Sequence, residues 1–125
     1  IEEKFAKSIH APGVGDATKG LPSCRDCHTS HTISRTDQTD FRFRMMDQCG
    51  RCHEEEAETF FDTFHGKVSR LGGAGAAKCY DCHGTHDVLA TDDPRSPVFA
   101  LNLPGTCEAC HQPTPPADHP APAGT

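Results

Sequence analysis

The stretch CYDCHGTH occupies residues 79–86, and a counterpart, CRDCHTSH, occupies residues 24–31. Each contains the motif CxxCH, followed three residues later by a further histidine. Two more copies of the motif, CGRCH beginning at Cys49 and CEACH beginning at Cys107, use the remaining cysteines of the chain. A histidine therefore follows every second cysteine, and none of the eight cysteines is left over.

The composition gives the polypeptide little from which to build an apolar core. Leu, Ile, Val and Phe together make up 19 of 125 residues, whereas Gly and Pro contribute 21. Burial of so few apolar side chains does not offset the conformational entropy lost on folding, and such a composition is typical of disordered chains. We therefore expect a bound group to supply the core.

Eight cysteines are compatible with disulfides, with zinc or with covalent haem. Disulfides and zinc need no histidine after each second cysteine, whereas CxxCH is the attachment signature of c-type haem. In that interpretation two thioethers hold the porphyrin and the adjacent histidine binds the iron. The motifs predict four covalently bound haem c groups. The attaching cysteines would be Cys24, Cys27, Cys49, Cys52, Cys79, Cys82, Cys107 and Cys110.

Nine histidines are present, and a low-spin haem iron takes two axial ligands. The motif histidines are the predicted proximal ligands: His28, His53, His83 and His111. The predicted distal ligands are His10, His31, His65 and His86. His119 is left over in a proline-rich stretch, where we interpret it as solvent-exposed, as a spare ligand or as a ligand between subunits.

The spacing of the CHxxH histidines constrains which iron they reach. The thioethers and His83 hold the chain on one face of a porphyrin, so His86 must reach a different haem. His10 precedes Cys24 by fourteen residues, enough chain to span up to about 46 Å. We expect His10 to pair with His28, His31 with His53, His65 with His83, and His86 with His111.

The sequence repeats itself with an offset of 55 residues. FAKSIHA (5–11) aligns with FFDTFHG (60–66), and CRDCHTSHTI (24–33) aligns with CYDCHGTHDV (79–88). This self-similarity predicts tandem units. The predicted organisation is a first dihaem unit, residues 1–55, and a second, residues 56–111, in one compact tetrahaem domain with a proline-rich tail, residues 112–125.

The predicted fold class is mostly coil with a few short α-helices wrapped around four haems, with little or no β-sheet. The main helix is predicted over residues 47–65, with Phe60, Phe61 and Phe64 on its apolar stripe and Gly66 at its end. GGAGA (72–76) lacks the setting of a phosphate loop and is predicted to be a flexible connection.

Charge and hydropathy narrow the partners. The formal net charge of −6 excludes nucleic acid and favours a basic redox protein or an extracellular electron acceptor. The sequence contains no run of about 20 apolar residues, so it predicts no transmembrane span. Because c-type haem is attached outside the cytoplasmic membrane in prokaryotes, we expect an extracellular or periplasmic protein whose export signal has been removed.

Over residues 5–111 the chain resembles multihaem c-type cytochromes with paired CxxCH motifs. The resemblance rests on the four CxxCH motifs, on CHxxH at His28/His31 and His83/His86, and on the upstream segments SIH and TFH. It implies electron transfer along closely packed bis-histidine haems, often in anaerobic respiration. Some extracellular members form head-to-tail filaments in which a histidine of one subunit completes a haem of the next. For such a polymer, His10 and His119 are the candidate bridging ligands.

Three other functions compete with electron transfer through a polymer. A monomeric periplasmic electron shuttle needs the same haems without assembly. A small multihaem reductase needs one haem with an open site, which a full set of histidine pairs does not leave. A haem-based sensor would need an output domain, and the sequence has none. The sequence therefore predicts an electron carrier rather than an enzyme.

Overall fold

A computed structural model describes residues 1–112 of the chain, so His119 and residues 113–125 lie outside the described part. Short helices joined by turns and loops make up the fold, and residues 1–112 contain no β-strand. This agrees with the coarse fold class predicted from the sequence. The helices are α1 (Glu2–Phe5), a 3₁₀ helix (Ala17–Lys19), α2 (Cys24–His28), α3 (Thr39–Gly50), α4 (Glu54–Asp62), α5 (Phe64–Arg70), α6 (Cys79–His83) and α7 (Leu103–Glu108).

The prediction of a single helix over residues 47–65 is wrong, because this region contains the end of α3, the whole of α4 and the start of α5. The end of α3 accounts for its first part. The backbone of His53, with φ −107° and ψ 58°, then departs from helical geometry before α4 begins. Thr63, with ψ 165°, separates α4 from α5, and its hydroxyl accepts a hydrogen bond from the Gly66 N–H at 3.2 Å. Threonine is a favoured N-cap residue, so it starts a new helix here.

Gly66 was expected to end a helix, but it lies buried inside α5. A Cβ atom at this position would lie 2.1 Å from the Phe60 carbonyl oxygen and 2.5 Å from the Phe61 Cα. The glycine is therefore required for the close approach of α5 to α4. Sequence reasoning treated it as a cap because a helix end and a close helix contact favour the same residue.

The two CxxCHxxH segments adopt the same backbone conformation. Asp26 Oδ2 accepts a hydrogen bond from the Ser23 N–H at 2.6 Å, and Asp81 Oδ2 accepts one from the Lys78 N–H at 2.8 Å. The residue after each motif histidine then turns into the left-handed region, with φ 62° at Thr29 and 84° at Gly84. The duplication seen in the sequence thus extends to local structure.

The two halves of the chain contact each other directly. The Ile9 N–H and the Ser8 hydroxyl both donate to the Val88 carbonyl, at 2.7 and 3.1 Å. Arg42 on α3 donates to the Tyr80 hydroxyl at 3.2 Å and lies 3.5 Å from the Asp81 carboxylate. These contacts hold the halves together, while the division into dihaem units stays a prediction.

Side chains form little core in residues 1–112. Ala11 and Met46 are the buried apolar residues there, at 2% and 5% exposure. Several large apolar side chains are exposed instead: Ile1, Val14, Ile33, Phe64, Leu71, Leu101 and Leu103. The polypeptide of residues 1–112 therefore buries few apolar side chains, as its composition predicts. No helix in this described part has both the length and the apolar character needed to cross a membrane.

Thr29 offers a test of the repeated backbone. A left-handed conformation costs a non-glycine residue about 1 kcal/mol or more, whereas glycine adopts it freely. We expect Thr29→Gly to raise the free energy of unfolding by about 1 kcal/mol in chemical denaturation. The reverse substitution at the equivalent position, Gly84→Thr, should lower it by a similar amount. A Thr29→Gly variant less stable than the unsubstituted protein would contradict this account.

Candidate functional site

Each CxxCH motif lies on one helical turn. The first and third motifs are α2 and α6 themselves. In the other two, the His53 N–H donates to the Cys49 carbonyl at 3.0 Å, and the His111 N–H donates to the Cys107 carbonyl at 2.8 Å. Residues three and four apart on a helix share a face. The two thiols and the imidazole of each motif therefore lie on the same side of their turn.

The second and third motifs meet at the junction between the two halves. The thiols of Cys49 and Cys79 form a hydrogen bond, which raises the pKa of Cys49 far above its ordinary value. The same hydrogen bond lowers the pKa of Cys79 to about 7. Both cysteines are unbridged. The last motif of the first half is thus in contact with the first motif of the second half.

The remaining consecutive motifs are also neighbours. Burial raises the pKa of Cys27, and the thiolate of Cys52 raises it further. Burial likewise raises the pKa of Cys82, with smaller contributions from Asp81 and then from Cys107 and Cys110. Consecutive motifs are therefore close enough for their thiols to interact electrostatically.

The histidines form pairs of imidazole rings. Each pair joins a motif histidine to a histidine outside a motif. The ring centres are 6.1 Å apart for His10 and His53, 6.0 Å for His28 and His86, and 5.8 Å for His65 and His111. The rings of His28 and His86 are also nearly parallel, with 12° between their planes.

These separations fit two imidazoles that share one metal ion. An imidazole nitrogen lies about 1 Å from its ring centre and about 2 Å from a first-row metal that it binds. Two imidazoles on opposite sides of one iron therefore have their centres about 6 Å apart. The paired rings, together with two cysteines on the same helical turn, are the donor set that covalent haem requires. The residues present thus fit this group.

The pairing predicted from the sequence differs from the pairing in the structure. His10 lies beside His53 rather than His28, His65 beside His111 rather than His83, and His86 beside His28 rather than His111. His86 does lie next to the histidine of a motif other than its own, as the CHxxH argument requires.

Local folding of the connecting segment explains the error for His10. The Val14 and Gly15 N–H groups both donate to the Ala11 carbonyl, and the 3₁₀ helix follows at once. A Cβ on Gly15 would overlap the Ile9 carbonyl oxygen, so the turn packs closely on itself. This compact segment cannot span the distance that was estimated for an extended chain.

The pairs follow the repeat with one exception. His10–His53 and His65–His111 are equivalent pairs, one within each half. His28–His86 joins the two halves, and its equivalents under the 55-residue offset are His83 and His31. Within residues 1–112, neither His31 nor His83 belongs to a comparable pair of imidazoles. The predicted partner of His31, His53, is beside His10.

Burial affects the protonation of two of the predicted ligands. It lowers the pKa of His10 and of His83, and positive charge on His53 lowers both further. The neutral imidazole is the form that binds a metal ion. The shift therefore favours ligation at neutral pH.

Sequence reasoning did not identify two side chains beside the motifs. The ring of Phe41 stacks on His28, with centres 5.7 Å apart and 19° between the planes. Lys78, which directly precedes Cys79, is 1% exposed. The only signal for Lys78 was its place in the repeat, because the equivalent residue is Ser23.

The alternatives of zinc and disulfides can be compared with the same geometry. The eight cysteines are unbridged. Residues 1–112 contain no group of three or more Cys, His, Asp or Glu side chains arranged to hold a metal ion. Tetrahedral zinc sites use four protein ligands or three, whereas six of the eight histidines in the described residues are arranged in pairs. No protein family, curated protein or solved structure matches the chain.

The close contact at Gly66 positions His65, and it can be tested separately from any cofactor. We expect Gly66→Ala to lower the free energy of unfolding by about 1–3 kcal/mol, because the methyl group overlaps α4. Gly75→Ala is the matched control, since a Cβ there has nothing within 4 Å. Chemical denaturation of both variants provides the measurement. Equal stability of the two variants would contradict the packing role of Gly66.

Proposed function

We propose that this protein transfers electrons as a tetrahaem c-type cytochrome. The observation that carries the proposal is the coincidence of two arrangements. Four CxxCH turns follow one another in sequence order, and three of their histidines face a second imidazole at 5.8–6.1 Å. A row of adjacent sites suits the passage of electrons from one to the next.

Each residue type has a defined role in this proposal. The cysteine pairs would attach four haem c groups, and the motif histidines would be the proximal ligands. His10, His65 and His86 would bind from the opposite face. When bound, each haem supplies an iron that takes up and releases one electron. Imidazoles on both faces of three of the four irons would leave substrates no place on those metals, which favours an electron carrier over a reductase. They also favour a lower potential than methionine–histidine ligation does.

Spectroscopy distinguishes the electron carrier from the reductase. We expect the protein assembled head to tail, as proposed below, to show only low-spin haem when reduced and to bind neither CO nor nitrite. Three irons would have two imidazoles from their own chain, and the iron held by His83 would receive one from a second copy. Optical titration of the reduced protein with CO provides the measurement. A haem that binds CO in every assembly state, together with catalytic reduction of nitrite, would support the reductase instead.

A double-variant experiment tests the pairing of His86 with His28. We expect His86→Ala to create one high-spin haem, because the iron held by His28 loses its second imidazole. In a background with Cys24→Ala and Cys27→Ala, which lacks that haem, the substitution should add no high-spin signal. In a background with Cys107→Ala and Cys110→Ala it should still add one. The reverse outcome would restore the pairing of His86 with His111.

We further propose that electrons pass between copies of the chain in a head-to-tail polymer. The supporting observation is that the contact between the two halves is made once, not reciprocally. Ile9 contacts Val88. The residues equivalent to this pair, Phe64 and Ile33, are 79% and 78% exposed. A twofold arrangement of the halves would make this contact twice.

Repetition of the same contact between copies accounts for both exposed faces. The second half of one copy would meet the first half of the next, as the two halves of one chain meet each other. Phe64 of one copy would then contact Ile33 of the other. His31 of the second copy would face His83 of the first, in the way that His86 faces His28. Such a heterologous contact repeats along an open filament unless the rotation between copies closes it into a ring. His31, rather than His10 or His119, is therefore the proposed bridging ligand.

Replacement of exposed apolar residues by aspartate, inside and outside the proposed contact, tests the polymer. We expect Phe64→Asp to abolish polymers and Leu71→Asp to leave them unchanged. Both side chains are large and highly exposed, at 79% and 89%, but position 71 has no counterpart in the contact between the halves. Electron microscopy and sedimentation provide the readout.

The spin state on dilution tests the bridging ligand. Dissociation of the unsubstituted protein should create one high-spin haem for every four, since His83 loses its partner. Fully low-spin monomers would contradict a bond between copies and would support the periplasmic shuttle.

A further inference from the structure

Lys78 lies buried at the junction between the two halves. It is 1% exposed and directly precedes Cys79, whose thiol contacts Cys49. Its ammonium group lies 5.1 Å from the centre of the Phe43 ring, on α3 of the first half. Phe43 and Cys49 belong to the same helix, so Lys78 lies between the second and third CxxCH motifs.

The surroundings of the Lys78 side chain are made of acceptors. Its Nζ donates to the carbonyl oxygens of Gly73 at 3.3 Å and of Ala74 at 3.2 Å, and to that of Ala76. The segment 72–76, which the sequence predicted to be a flexible connection, is thus closed around a cation. Three carbonyl acceptors match the three N–H donors of an ammonium group, whereas a neutral amine has only two. Burial lowers the pKa of Lys78, but the acceptor set satisfies the charged form.

The nearby carboxylate of Asp81 does not neutralise the positive charge of Lys78. Asp81 accepts a hydrogen bond from the backbone N–H of Lys78, and its carboxylate also lies 3.5 Å from Arg42. The equivalent aspartate, Asp26, caps the first CxxCHxxH segment in the same way. The aspartates are therefore common to both halves. The buried cation occurs at Lys78 alone, because the residue equivalent to it is the exposed Ser23.

We infer that Lys78 is a fixed positive charge that raises the reduction potential of the haem attached at Cys79 above that of the haem attached at Cys24. The inference rests on the proposed function. A buried cation next to the attachment cysteine favours the electron-rich state of the group. Its effect is weakly screened, because water does not reach it.

The test is a spectroelectrochemical titration of the haem-loaded protein, resolved into four one-electron steps. We expect Lys78→Met, which keeps the length of the side chain and removes the charge, to lower one of the four midpoint potentials. The equilibrium constant for that reduction should fall on the order of tenfold, the scale for one charge acting over about 10 Å at an effective dielectric constant near 20. Lys78→Arg should keep the original potential.

Two control variants separate charge from structure. Gly75→Ala alters the same loop without changing any charge, and a Cβ there has nothing within 4 Å. It should leave the four potentials unchanged. Ser23→Lys places a cation at the equivalent but exposed position, where water screens it, and should shift a potential much less than Lys78→Met does. A shift as large in Gly75→Ala as in Lys78→Met would overturn the inference.

The outcomes distinguish this inference from the proposed function. A folded Lys78→Met protein that carries four haems with unchanged potentials would refute the role of Lys78 and leave electron transfer in place. A protein without haem would refute both. A structural readout accompanies the titration, because hydrogen exchange of residues 73–78 reports whether the loop has opened. An open loop with unchanged potentials would likewise overturn the electrostatic role.

Discussion

The architecture depends on one constraint, which is that imidazoles from distant parts of the chain face each other at about 6 Å. In each half, one pair connects the histidine upstream of the CxxCHxxH segment to the histidine of the second CxxCH motif. The third connects the two halves. With only Ala11 and Met46 buried among the apolar residues of the described part, side-chain packing supplies little of the stability. If each pair binds one iron, as we propose, the ligands cross-link a chain whose described residues 1–112 form little apolar core, and folding and cofactor attachment become one process.

The sequence singled out histidines that the structure brings together, but the neighbours it predicted for them differ from those in the structure. Their role as haem ligands stays a prediction. Motif cysteines and histidines are local, so reading one helical turn is sufficient to group them. The partner of each motif histidine depends on how the intervening chain folds, and an extended length gives only an upper bound on its reach. The turn at Ala11–Gly15 and the close contact at Gly66 shorten the two segments that connect His10 and His65 to the CxxCHxxH segments that follow them. Neither feature has a periodic pattern in the sequence. A glycine indicates that several backbone conformations are allowed, but it does not indicate which one the chain adopts.

The helices illustrate the same limit. An apolar stripe through Phe60, Phe61 and Phe64 predicted one continuous helix, but Thr63 divides it by capping a new one. Lys78 is a similar case, because a lysine in a glycine-rich region reads as a solvated side chain. Only the fold reveals that three carbonyl groups surround it. Such features depend on non-local packing, which pattern and propensity do not describe.

The duplication gives the molecule a direction. Each half contains the same internal pair of histidines, and one further pair joins the first half to the second. A tandem arrangement of this kind has two different ends, and each end presents residues whose equivalents are already in contact inside the chain. A polymer built from such a unit would need no type of contact that is absent from the single chain. The proposed electron transfer within a copy and between copies would therefore depend on the same geometry.

The central claim is that the four CxxCH turns are attachment sites for haem. Intact-mass analysis of the purified protein, combined with measurement of bound iron, tests it most directly. The account predicts a single species with four covalently added haems and four irons for each chain. A mass that corresponds to the bare polypeptide, to zinc or to internal disulfides would contradict it.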